Sequence, residues 1–250
     1  MAKVTLTVRL PDWLHNILRS TKHFVAPPTS PVINLWGDRD LEYSYIASRL
    51  PQGPGEVLDF GSAFGNLSLH ALQRGWNVTG VDLLSHPIYW KHPNFRFVQG
   101  DFLQLDFPPA SFDLILNCSA VEHVGLPGRY NLEIPETDGD LAAMKKMLAL
   151  LKPGGLMLLT VPAGRDAVIA PLHRVYGANR FPKLLQGFEI IEQLFWLKNS
   201  ENLWLSADRD AALAYVPTGD HTDPSSCSYA LACFILRKPV QQSSGTSASL

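Results

Sequence analysis

The chain has 250 residues, 46% hydrophobic and 18% charged, which is enough for one sizeable core and a single domain with modest appendages. A net charge of −2 gives no electrostatic case for a nucleic-acid partner, and no run of about 18 apolar residues reads as a membrane span. Three cysteines, Cys118, Cys227 and Cys233, have neither metal-ligand spacing nor an even count; Cys118 and Cys233 sit in apolar runs and read as reduced core thiols.

Residues 1–50 form a lead-in. Trp13 to Leu18 is an amphipathic helical segment with Asp12 in the N-cap position, and Pro27-Pro28-Thr29-Ser30-Pro31 breaks the chain after it. The N-terminus lacks an apolar secretory core with a small-residue cleavage site, so a cytoplasmic location is expected. Lys3, Arg9, Arg19 and Lys22 outnumber Asp12 here, beside Trp13 and Phe24. That composition suits either packing on the chain's own domain or weak docking on an anionic membrane surface. Residues 51–240 are the main domain, and the Ser- and Gly-rich stretch 241–250 is expected to be a disordered tail.

Within the main domain, short apolar runs predict strands at Glu56–Phe60, Asn77–Asp82, Phe95–Gln99, Phe112–Asn117 and Leu156–Val161. Helical spacing predicts helices over Gly65–Gln73 and Gly139–Leu151, the latter from Leu141, Met144, Leu148 and Leu151. Pro153 is expected to stop the second helix, with Gly154 and Gly155 in a tight turn. Phe188–Leu197 and Tyr229–Leu236 are two closing strands, one of them antiparallel. The alternation implies an α/β fold with a mostly parallel sheet covered on both faces.

Ligands of such sheets bind beyond the carboxyl ends of the strands. The first loop, "DFGSAFGN", matches a dinucleotide fingerprint poorly, since Ala63 and Asn66 stand where G-x-G-x-x-G wants its second and third glycines. As acid-x-G-x-G-x-G it offers Asp59, Gly61, Ala63 and Gly65, with one departure. A plain strand-to-helix turn also favours such small residues. Asp82 closes strand two, 21 residues after Gly61, and suits two ribose hydroxyls of either kind of cofactor.

With Asp59-x-Gly61, Gly100-Asp101-Phe102, "SFDLILNCSAVEHV" and "LLKPGGLMLLTVP" in order over residues 55–165, the sequence resembles the class I S-adenosylmethionine-dependent methyltransferases. The resemblance implies a Rossmann-like seven-stranded sheet with an antiparallel closing strand and S-adenosyl-L-methionine as cofactor. It places the cofactor against Asp59, Gly61, Ser62, Ala63 and Gly65, then Asp82 and Leu83, then Asp101 and Phe102, with Asn117 at the end of strand four. Asp59 would face the methionine ammonium, and Asp101 the adenine amino group.

Methyl transfer from a sulfonium is a direct displacement, so a base is needed mainly for a poorly acidic alcohol. His123, with Glu122 beside it, is the first candidate base; a structural role for the pair is the alternative. In ubiquinone-pathway O-methyltransferases a Glu-x-x-Glu-His segment can hold a divalent metal, but here Ser119 replaces the first glutamate, and no metal is assigned. His173, Arg174 and Tyr176 in "PLHRVYGANRFP" form a second polar group. His173 is an alternative base, and Arg174, Tyr176 and Arg129 are candidate acceptor-binding residues; a solvated helix end is the competing account of His173-Arg174. Together with "DGDLAAMKKML", "VPAGRDAV" and the early "GDRDLEYSYIASRLP", this region resembles an uncharacterised methyltransferase family linked to glycan modification, which implies O-methylation of a hydroxylated small molecule or glycan. Tyr43 and Trp36 are either cofactor-covering or core aromatics. A cofactor-binding protein without transfer and an NAD-dependent oxidoreductase are the other classes.

Overall fold

In the computed structural model, Val57 and Leu58 point to opposite sides of one strand, as do Ile115 and Leu116 on another and Leu158 and Leu159 on a third, because side chains alternate along a strand. All six are buried on both faces, the signature of a central strand in a covered parallel sheet. The structure describes residues 38–126, 136–169, 173–198, 203–220 and 223–240. The helical segment at 13–18, the proline run at 27–31, Trp36, Arg129 and the 241–250 tail lie outside the described residues.

The described helices are α1 (Arg39–Arg49), α2 (Asn66–Gln73), α3 (Gly139–Leu150), α4 (Phe181–Leu184) and α5 (Arg209–Ala214). The described strands are β1 (Glu56–Phe60), β2 (Asn77–Asp82), β3 (Phe95–Gln99), β4 (Phe112–Cys118), β5 (Leu151–Ala163), β6 (Ala167–Ile169), β7 (His173–Val175), β8 (Glu189–Lys198), β9 (Trp204–Ala207), β10 (Thr218–Asp220), β11 (Asp223–Ser228) and β12 (Ala230–Arg237). Eight of them form one sheet in the order β3-β2-β1-β4-β5-β12-β8-β9. β1 pairs in parallel with both β2 and β4, whereas β12 runs antiparallel between β5 and β8. The expected α/β, mostly parallel, Rossmann-like architecture is present. The sheet has eight strands where seven were expected, because Trp204–Ala207, inside a stretch with no clear alternation, pairs with the edge of β8.

Helices cover both faces. Tyr45 and Ile46 of α1 and Leu67, Ala71 and Leu72 of α2 pack on Val57, Val78, Leu116 and Leu158. Ala143, Met144, Met147 and Leu150 of α3 pack on Leu58, Ile115 and Leu159. Fully burying each leucine, isoleucine, valine or methionine among them is worth roughly 1.5–3 kcal/mol. Helix α1 falls in the segment assigned from sequence to the lead-in. Cys118 and Cys233 are buried free thiols, as expected.

Two local expectations are corrected. Lys152-Pro153-Gly154-Gly155 is no tight turn: α3 runs straight into β5, because Leu151 already takes an extended conformation. The extra residues are absorbed by a register shift between Phe112 and Leu114, with Gly154 at φ +78°. The second correction concerns "HRVY". Neither a solvated helix end nor an acceptor-facing edge, its first three residues form β7, paired to β6, Tyr176 follows in a bridge to Ala163, and all four are buried.

Arg174 is 2% exposed, and its guanidinium donates to the carbonyls of Glu122, Val124, Glu136 and Thr137 at 2.6–3.3 Å, with Asp140 3.6 Å from Nε. The Tyr176 hydroxyl donates to Asp140 at 3.1 Å, and Arg180 Nε donates to the same oxygen at 2.9 Å. Both residues assigned to the acceptor therefore hold the segments at 122–124 and 136–140 together. Arg174→Ala, which strands those carbonyls, is expected to destabilise the fold by about 3–5 kcal/mol in a denaturant titration.

Candidate functional site

The order of strands reverses between β1 and β4, leaving a crevice at their carboxyl ends. A cavity of about 610 Å³ lies there, within the range of small-molecule sites. Its wall includes Asp59, Gly61, Ser62, Ala63, Asp82, Leu83, Asp101, Phe102 and His123, bringing most of the sequence-predicted residues together.

The glycine loop owes its shape to three left-handed residues. Gly61 has φ +71°, and a Cβ there would sit 2.5 Å from that of Ala120; Gly65 has φ +75° and abuts Trp90, so a side chain is excluded at both. Ala63, where the motif has glycine, also takes a positive φ, +44°, and carries the strain. Gly65 is the N-cap of α2 and shapes the turn without joining the cavity wall.

Asp82 fixes this loop. One carboxylate oxygen accepts from the Ala63 N–H at 2.9 Å and the other from the Leu84 N–H at 3.0 Å, and each keeps lone-pair capacity for a ligand hydroxyl. Asp59 is 2% exposed and accepts from Ser68 Oγ at 2.6 Å; burial pushes its carboxyl up to about 6. Asp101 accepts from the Leu103 N–H at 2.9 Å. Phe102 packs edge-on against Phe60 at 4.8 Å, while Lys146 Nζ pins its carbonyl at 2.7 Å.

Several assigned residues stand elsewhere. Asn117 is corrected from the cofactor to the core: it is fully buried, with Nδ2 3.8 and 3.7 Å from the sulfurs of Met144 and Met147. Its side chain leaves the crevice because strand alternation aims it at α3. His173 is buried behind His123, ring centroids 6.3 Å apart, rather than on the wall. Glu122 also lies behind His123, 3.7 Å from its Nε2, and burial pushes its carboxyl up to about 8.

Wall residues that the sequence did not mark for the site include Arg39, Cys118, Ser119 and His86, and Tyr43, read from sequence as either a cofactor-covering or a core aromatic, also lines the cavity. Arg39 and Tyr43 are four apart, one turn of α1, a spacing that could have shown their common face. Between the wall and the core sits Glu42, fully buried. Its Oε1 accepts from Ser119 Oγ and, at 2.7 Å, from Thr160 Oγ1, while Oε2 lies 3.3 Å from the Arg39 guanidinium. Burial first, then Asp38, pushes Glu42 up to about 7 against the opposing pull of Arg39.

Residues 105–212 match a family described as Caenorhabditis protein of unknown function, DUF268. An uncharacterised methyltransferase of Geobacillus kaustophilus is 32% identical over 131 residues, 50% of this chain and 55% of its own length. The demethylmenaquinone methyltransferase of Deinococcus radiodurans is 26% identical over 163 residues, 61% of this chain and 62% of its own. The chain thus spans less than two thirds of these relatives. Among solved structures, the 1,6-didemethyltoxoflavin-N1-methyltransferase of Burkholderia thailandensis, bound to 1,6-didemethyltoxoflavin and S-adenosylhomocysteine, aligns over 95% of this chain and 94% of its own, with a TM-score of 0.52 and 19% identity.

Two outcomes follow from the site's strain and charge. Ala63→Gly relieves a left-handed alanine and is expected to raise stability by about 0.5–1 kcal/mol in a thermal melt. Glu122 has a raised folded pKa, so its contribution is fully present below its unfolded value and is lost as pH rises through about 8. Glu122→Gln should therefore match the wild type below about pH 4 and gain on it, by up to roughly 1.4 kcal/mol per pH unit, between about pH 5 and pH 8.

Proposed function

From a chain with the fold of the class I S-adenosylmethionine-dependent methyltransferases, we propose an enzyme that transfers the methyl group of S-adenosyl-L-methionine to a hydroxyl of a small molecule or glycan. S-adenosyl-L-methionine is the cofactor that fold and relatives support. One observation carries the reading: Asp59, Asp82 and Asp101, from the ends of three adjacent strands, meet on one cavity whose floor is the left-handed glycine loop.

The residues fit the cofactor. A ligand backbone can approach Gly61, where a Cβ has no room. Asp59 offers charge to the methionine ammonium and the Arg39 guanidinium, on the same wall, to its carboxylate. Asp82 keeps acceptor sites for two ribose hydroxyls, and Asp101 with Phe102 suits the adenine edge and face. When bound, the cofactor supplies an electrophilic methyl on a sulfonium, and the chain's part is alignment, exclusion of water and removal of one proton.

The wall suits an acceptor that must lose a proton. His123 stands on it directly, and a buried carboxylate reaches it through Ser119. The solved N1-methyltransferase methylates nitrogen, but an amine asks less of a base than an alcohol does. The glycan-linked resemblance of "PLHRVYGANRFP", "DGDLAAMKKML", "VPAGRDAV" and "GDRDLEYSYIASRLP" is what supports a sugar hydroxyl as the acceptor.

Calorimetry should show S-adenosylmethionine and S-adenosylhomocysteine binding while NADH does not, and Asp82→Ala should weaken that binding by on the order of 10²-fold, as loss of charge-assisted hydrogen bonds implies. Labelled methyl from the cofactor should then appear on a member of a glycan and phenol panel. Tight NADH binding would overturn the cofactor assignment, and cofactor binding without transfer to any acceptor would overturn the transferase reading.

A further inference from the structure

We propose that Ser119 and Glu42 form a proton relay in the cavity wall, in which Ser119 Oγ receives the proton of the acceptor hydroxyl as its own proton passes to the Glu42 carboxylate. The relay rests on the methyl transfer proposed above. Ser119 is the catalytic residue in this scheme, and Glu42 acts through it as a positioning residue.

The geometry points one way. Ser119 lines the cavity, and its hydroxyl proton is committed to Glu42 Oε1. A serine hydroxyl has one donor and two acceptor lone pairs, so with its proton on Glu42 the Ser119 Oγ keeps only acceptor capacity, which suits a proton-bearing group of the acceptor. Thr160 Oγ1 donates to the same carboxylate oxygen at 2.7 Å and fixes it in place. The backbone of Ser119 is held at φ +43°, a left-handed conformation costly for serine, while its N–H donates to the Thr160 carbonyl at 3.0 Å. Strain of this sort persists where surrounding structure over-determines a position.

The charges around Glu42 tune it. Asp38 and Arg39 flank it on its own helix; Cys118, Glu122, Tyr229 and Cys233 face it from the strands and turn packed against α1. Asp38 and Glu122 oppose its charge and Arg39 favours it. Burial above all, then Asp38 against the pull of Arg39, leaves a carboxylate basic enough to hold a proton near neutral pH. His123, by contrast, turns Nε2 toward Glu122 at 3.7 Å.

The step balances. The acceptor oxygen forms its bond to the methyl carbon with a lone pair, and the carbon–sulfur pair stays on sulfur, leaving a neutral thioether. The acceptor's proton moves to Ser119 Oγ, and the serine proton moves to Glu42 Oε1. Glu42 returns it along the same path to solvent after product leaves.

Glu42→Gln keeps the shape of the side chain, and Ser119→Gly removes the hydroxyl while relieving the strained φ, so the second variant folds even where the first does not. On the best hydroxyl acceptor of the labelled panel, each should lose on the order of 10²-fold or more in kcat and lose the acid limb of kcat/KM near pH 7, with affinity for S-adenosylmethionine unchanged in Ser119→Gly, which leaves the Arg39–Glu42 pair intact. Infrared difference titration of the full chain without ligand supplies a readout apart from turnover. A carboxyl titrating near pH 7 should vanish in Glu42→Gln and shift in frequency in Ser119→Gly. The relay falls if both variants keep wild-type rates and pH profile, or if no such carboxyl titrates. Failure of the wild type to bind S-adenosylmethionine would instead overturn the proposed function, with the infrared titration still deciding the state of Glu42.

Discussion

β1 hydrogen-bonds to β2 along one edge and to β4 along the other, and the chain leaves the three strands in opposite senses across the sheet. The helices after β1 and β4 must then cover different faces, so nothing fills the space above the carboxyl ends of these two strands. Into that space the backbone turns at Gly61 and Ser119, both in left-handed conformations. The Asp82 carboxylate ties the first turn to the second strand, and the Arg174 guanidinium holds the segments after β4 by their carbonyls. The cavity is a product of strand order, kept open by a few polar ties.

Those ties are set against a cost. Asp59, Glu42 and Glu122 are carboxyls out of water, pushed by burial up to about 6, 7 and 8. Folding thus favours their protonated forms, and stability drains as pH climbs from the ordinary carboxylate range through these values. Of the three, Asp59 lines the cavity itself and Glu42 reaches its wall through Ser119.

Much of the fold was legible because its signals are local. Strands β1, β2 and β3 fall on the residues that short apolar runs select, and the glycine loop, Asp82 and Asp101 follow from their positions at or after the ends of those strands. The illegible part depends on distance in sequence. Glu42 meets Ser119 and Thr160 across 77 and 118 positions, and no spacing rule connects them. Arg174 and Tyr176 looked like ligand-facing polar groups, yet a buried Asp140 and a ring of carbonyls satisfy them. Polarity in a sequence marks a need for partners without saying whether those partners are protein or ligand. Asn117 misled for a different reason: it closes the right strand, but its side chain alternates toward α3.

A crystal structure of the full chain with S-adenosylhomocysteine tests the central claim most directly. The account predicts ribose hydroxyls on the Asp82 carboxylate, adenine against Asp101 and Phe102, and the amino-acid end between Asp59 and Arg39, with the sulfur directed toward Ser119. Density for the ligand outside this cavity, or within it with the ribose away from Asp82, would contradict it.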